Sequence, residues 1–216
     1  MGRAKVKRGS TNIDMTAMCD VAFLLLSFFI LTTKFKPAEA VEVSPPSSVA
    51  SKVAPQTDAF MVSINKEGKI FIQMSDDMKG DVINELSTAR NLNLTAEDKK
   101  YFTQSLYVGT PLNQLNQFIR VKPEDLHKYT AAGVPADTSN NELQAWINAA
   151  VNAYKGKKIN FLIKGDNNSK YSAFRDVINA FKKNEIFKYQ LVTNAEDVPA
   201  GSELEKKAFA SEQAAE

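Results

Sequence analysis

Thr16, Asp20 and Ser27 are three polar side chains set in an otherwise apolar run, Thr16 to Thr33, which reads TAMCDVAFLLLSFFILTT. At about 100° per residue on a helix they fall, with Phe23, within one narrow sector. A carboxyl flanked on one stripe by two hydroxyls can take up, hold and release a proton as its surroundings change from apolar to wet. A carboxylate at a bilayer centre costs about 2.5–3.5 kcal/mol on insertion scales. Asp20 stands nearer one end, where the cost is lower, and such a stripe should face protein or water and not lipid. The plainer alternative has Asp20 snorkelling to nearby headgroups or standing as an incidental flank. Ala17, Met18 and Cys19, which extend the apolar run behind it, argue against that alternative.

The element that must carry this stripe is a membrane-spanning helix over residues 13–36. From Val21 to Thr33 no residue is charged, and Met15 to Phe35 as a helix covers roughly 30 Å, the thickness of a bilayer core. Lys34 and Lys36 can snorkel to the far interface. Arg3, Lys5, Lys7 and Arg8 precede the run, so residues 1–12 read as a cytoplasmic arm and the long remainder lies outside. A secretory signal peptide is the competing reading, because Ala38-Glu39-Ala40 has the form of a cleavage site. Asp20 at the head of the apolar core and two lysines before that site speak against it.

Ile13-Asp14-Met15-Thr16-Ala17-Met18-Cys19-Asp20-Val21 and the apolar run behind it resemble the start of the ExbD/TolR family of energy-transducing membrane proteins. That family's pattern is roughly I-N-x-T-P-x-x-D-V. Ile13, Thr16, Asp20 and Val21 match it, whereas Asp14 replaces Asn and Ala17 replaces Pro, which puts a kink at the helix entry in doubt. The string AFLLLSFF is similar to the ExbD branch. The resemblance covers residues 12–75 and about 157–198, and the middle of the chain fits it poorly.

Residues 37–58 hold prolines among serines and alanines and read as an extended linker of up to roughly 70 Å. Val41-Glu42-Val43 before Pro45 resembles the short extended segment that follows the family's helix; it is either a plain spacer or a strand that pairs by edge addition. An outer domain, residues 59–198, opens with a hairpin from Phe60–Ile64 and Lys69–Gln73 around a turn ending in Gly68. Asp76, Asp77, Lys79 and Gly80 lead into a helix whose Val82, Ile83, Leu86 and Ala89 share one face. An insertion spans about 91–156, of which 91–138 is broken by Pro111, Pro123, Gly133 and Pro135. Within it, Thr95 to Asp98 reads as a helix start, and Leu112, Leu115, Phe118 and Ile119 as an amphipathic turn or two. Ser139 to Glu142 forms a capping box before a helix lined by Leu143, Trp146, Ile147, Ala150, Val151 and Tyr154, with Trp146 a core residue. Lys158–Lys164, which alternates into a buried strand, an amphipathic helix through Tyr171, Phe174, Val177, Ile178 and Phe181, and a last strand, Tyr189–Thr193, close the domain. Asp166 reads as a loop or cap residue, and 199–216 as a flexible tail.

The expected fold is therefore a single transmembrane α-helix plus a C-terminal α+β periplasmic domain of ββα…αβαβ order with a helical insertion. The net charge of +2 gives no argument for nucleic acid. One cysteine, Cys19, excludes an intrachain disulfide. His127, the one histidine, sits among polar residues, and no Gly-rich phosphate loop, paired Cys/His ligands or nucleophile with a histidine base appears, so no enzyme site, cofactor or metal is expected.

The resemblance implies a bacterial inner-membrane subunit of a proton-motive-force-driven motor, with Asp20 as the proton-carrying group, Thr16 and Ser27 as its polar support, and protons as the coupling ion. It further implies an ExbB-like (MotA/TolQ-type) polytopic pentamer around two copies of this chain. These would dimerise through helix and periplasmic domain, the latter acting on a TonB-like protein. A TolR-like subunit of the Tol-Pal system, or a membrane-anchored adaptor without proton chemistry, are the alternatives.

Overall fold

The structure, a computed structural model, describes residues 15–32, 41–49, 53–55, 57–121, 125, 129, 131–137, 140–199 and 201–203. The arm 1–12, Asp14, Lys34, Lys36, His127, Ser139 and most of the tail lie outside the described residues. The chain divides into two compact units, Met1–Glu39 and Ala40–Glu216.

In the first unit, α1 (Met15–Thr32) is an 18-residue helix with no buried residue. Its large apolar side chains stand 53–85% exposed, from Leu25 to Leu31. A water-solvated helix would hide such a surface, so length and composition make it a candidate membrane span, one among the described residues.

The second unit is a mixed α/β domain. Its elements are β1 (Ser47–Ser48), β2 (Ala59–Ile64), β3 (Ile70–Met74), α2 (Asp76–Arg90), α3 (Ala96–Gln104), a 3₁₀ turn (Leu112–Gln114), α4 (Leu115–Phe118), α5 (Glu142–Ala153), β4 (Asn160–Gly165), α6 (Tyr171–Lys183), β5 (Gln190–Leu191) and β6 (Asn194–Ala195). Four strands form one sheet in the order β3-β2-β4-β5, with β2–β3 antiparallel and the other pairs parallel. The β2–β3 turn is made by Asn65, whose Oδ1 accepts the Glu67 and Lys69 N–H groups at 3.0 and 2.9 Å, and by Gly68 at φ 81°.

Period-two alternation and register put Phe60, Val62, Ile64, Ile70, Ile72 and Ile163 on one sheet face. They join Met78, Val82, Ile83 and Leu86 of α2, Leu143, Trp146 and Ile147 of α5, and Val177 and Phe181 of α6 in a single core. Trp146 is a core residue as expected, stacked on Phe102 at 5.7 Å between ring centroids. β4 does not alternate: Phe161, Leu162 and Ile163 are all buried, because a central parallel strand is covered on both faces.

Several boundaries move from the sequence reading. α2 already begins at Asp76, so the acid pair occupies its first turn, and Lys79 and Gly80 lie inside the helix. Ala89 is exposed, and Met78 and Lys79 take its place on the buried face. The capping box proposed at Ser139 is replaced by a cap at Asn141, whose Oδ1 accepts the Gln144 N–H at 2.8 Å. Glu142 turns outward from that cap and accepts the Leu112 N–H at 2.7 Å. The Thr95–Asp98 helix start holds, with a reciprocal capping box.

Residues 41–49 depart from a plain spacer. Val43 is buried, and Ser47–Ser48 pair in parallel with Asn194–Ala195. Proline bars a segment from central strands but not from an edge, where its missing donor is not needed.

Candidate functional site

On α1, Thr16, Asp20 and Ser27 follow one another at four and seven residues along a regular helix. The Asp20 side chain is exposed and its carboxyl makes no hydrogen bond or ion pair with another described residue. The Ser27 hydroxyl donates to the Leu24 carbonyl at 2.9 Å, so its proton is committed to its own helix while its oxygen can still accept. Ser27 lies about 10 Å along the axis from Asp20, too far for direct contact within one helix. The three residues thus share a sector, with Thr16 one turn from Asp20 and Ser27 two turns beyond it.

In the second unit, the conspicuous carboxylate is Asp166. It is 9% exposed. Its Oδ2 accepts the Ser44 N–H at 2.9 Å and its Oδ1 accepts the Asn168 N–H at 2.9 Å. Those two backbone donors, Ser44 first, hold its carboxyl below the ordinary carboxylate range, with a further contribution from the Lys66 charge. Both bonds go to loop backbone, so Asp166 is a loop residue; the cap position of α6 is Lys170.

Asp98 is the second buried carboxylate, satisfied by the Thr95 N–H and hydroxyl at 3.0 and 2.8 Å and by Arg120 at 2.8 Å. The Thr95 donors, ahead of Arg120, hold it below its usual range. Asp76 pairs with Lys79 at 2.6 Å, and Asp77 lies 3.4 Å from the Tyr154 hydroxyl. Burial, then the charges of Asp77, Asp58 and Asp81, push the Tyr154 phenol up to about 12. Among the described residues no three His, Cys, Asp or Glu side chains gather as a metal site.

The sequence reading missed the partners of three of these groups: Ser44 for Asp166, Leu112 for Glu142, and the Ser105 carbonyl, which accepts from Lys79 at 2.7 Å. Each is a side chain meeting a distant main chain, and backbone groups leave no mark in the residue pattern.

The family model for the biopolymer transport protein ExbD/TolR matches residues 6–196. This chain belongs to the ExbD/TolR family. Members of the ExbD/TolR family are transport components and not enzymes. Biopolymer transport protein exbD2 of Vibrio cholerae serotype O1 is 31% identical over 105 residues, which make up 49% of this chain and 75% of that protein. No solved structure matches the chain. Asp20 and Asp166 both lie within the family match, as does the stretch 91–138 that fitted the resemblance poorly.

Proposed function

We propose that this ExbD/TolR-family protein is an ExbD-like subunit of a proton-driven motor that energises TonB-dependent transport across an outer membrane, with Asp20 as the proton-carrying group. The observation that carries the reading is the lone carboxylate of an 18-residue apolar helix that buries none of its residues. A single helix cannot enclose a proton pathway, so partner helices must supply the walls. An ExbB-like polytopic pentamer around two copies of this chain fits that need, and the name of the Vibrio relative favours the ExbD side of the family over a TolR-like role.

In this reading the basic arm lies in the cytoplasm, the inner membrane holds α1, and the outer domain works in the periplasm on a TonB-like protein. Asp20 binds a proton where it meets one water path and releases it where it meets the other. A charge moved across the membrane field is worth about 2.3 kcal/mol per 100 mV, enough to bias a rotation or rearrangement. Thr16 and Ser27 mark the face that turns toward those paths.

Replacing Asp20 with Asn is expected to leave assembly intact and abolish proton-driven uptake; normal uptake in that variant would rule the reading out. Exchanging residues 16–33 for an unrelated apolar helix separates it from a bare anchor, which would keep full activity. Copurification of a TonB-like or a TolA-like protein decides between the two systems.

A further inference from the structure

An open sheet edge presents unpaired N–H and C=O groups to any other strand. In this domain the two edges of the four-stranded sheet are β3 and β5. At β3, Ile72 exchanges both backbone hydrogen bonds with Val108, each 2.8 Å, and the Ile70 carbonyl accepts the Val134 N–H at 2.8 Å. The two covering segments are tied together by the Gly133 N–H, which donates to the Gly109 carbonyl at 2.8 Å. Both come from the proline- and glycine-broken stretch 91–138.

Two glycines make the approach feasible. A Cβ on Gly109 would stand 2.6 Å from the Phe71 ring. Gly133 has φ +91°, and a Cβ there would lie 3.1 Å from the Lys69 Cβ and 3.2 Å from the Ile70 nitrogen. Neither segment offers a fresh edge in its turn. The Ile72–Val108 contact is an isolated bridge, and prolines follow shortly at 111 and 135, where no N–H is available to another strand.

We propose that the segments around Val108 and Val134 are an edge guard, which occupies the outer N–H and C=O of Ile72 and the C=O of Ile70 and so keeps a second copy of this chain from extending the sheet there. Chains anchored side by side by α1 meet at high local concentration, so an exposed edge would pair readily. The guard confines contacts between copies to other surfaces. It is independent of the proton chemistry assigned to Asp20.

The test uses the full-length chain with Cys19→Ala and a reporter Gln73→Cys on β3, with and without Gly109→Val and Gly133→Val together. Hydrogen exchange should be at least tenfold faster at Val108 and Val134 in the double variant, with Val62 and Ile163 unchanged, and oxidation should crosslink copies through position 73. The parent with the guard in place should not crosslink. Kept protection at Val108 and Val134, or lost protection there without crosslinking or a change of oligomeric state, would overturn the proposal. If the double variant also loses protection in β2 and β4, Gly133→Val alone is read in the same way. Loss of β2 and β4 there too would make the segments part of the core and overturn the guard.

Discussion

The Asp166 carboxylate accepts the Ser44 backbone N–H at 2.9 Å across 122 positions of chain, and the Asn167 N–H returns to the Ser44 carbonyl at 2.9 Å. This pair of bonds fixes the segment at Ser44, just after Val41 and Val43 have packed onto the domain. From there the Asn194 N–H donates to Pro46 and the Glu196 N–H to Ser48, each at 3.0 Å, so one carboxylate starts a short parallel ladder. Asp166→Ala should therefore speed hydrogen exchange at Ser44, Asn194 and Glu196 while leaving β2 and β4 protected. Unchanged exchange at Ser44 would show that the ladder holds without its anchor.

Acid should do reversibly what that substitution does permanently. The Asp166 carboxyl is held below the ordinary carboxylate range, chiefly by the Ser44 and Asn168 donors, with Lys66 adding its charge. A depressed folded value stabilises the ladder above the unfolded pKa, about 3.9, and that stabilisation is lost as pH falls through the lower folded value. Amide exchange followed across that acid range, corrected for intrinsic rates, should show Ser44 opening before the core. In Asp166→Asn the pH dependence at Ser44 should disappear.

A second buried carboxylate controls a different part of the domain. Asp98 completes the α3 capping box and holds Arg120, which stands just beyond α4. Asp98→Ala removes the reciprocal half of the capping box and a charged hydrogen-bond pair at once, a loss of roughly 1–3 kcal/mol, while the Thr95 cap itself remains. Urea unfolding followed by the fluorescence of Trp146, the one tryptophan, reads this directly, since its ring stacks on Phe102 of α3. A midpoint equal to the parent's would contradict the assignment.

These anchors mark the limit of what the residues alone convey. The α1 span, the β2–β3 hairpin, the Thr95 cap, the core face of α5 and the β4–α6–β5 close are legible because each is written in local periodicity or a local cap. The strap at Ser44 is not, because proline and serine describe what the backbone cannot do and leave open where its remaining donors go. Alternation likewise misleads at β4, where Leu162 points away from the core cluster yet is still covered. At the candidate site, the identity and sector of Thr16, Asp20 and Ser27 follow from spacing. The use of the Ser27 proton by Leu24 needs coordinates.

That hydrogen bond grades the polar stripe. Because Ser27 already satisfies its donor within α1, Ser27→Ala should leave insertion intact and remove at most one accepted bond on the wet face. A neutral hydrogen bond is worth about 0.5–1.5 kcal/mol net, so uptake should slow by roughly two- to tenfold. Complete loss of uptake with normal assembly would make Ser27 a proton carrier in its own right.

The central claim is that Asp20 changes protonation as the motor runs. Infrared difference spectra of the assembled complex in vesicles, recorded with and without an imposed proton gradient, test this most directly when Asp20→Asn supplies the baseline. The account predicts a protonated-carboxyl C=O band that changes with the gradient and is missing from the variant. A side chain that stays ionised and hydrated under both conditions would contradict it.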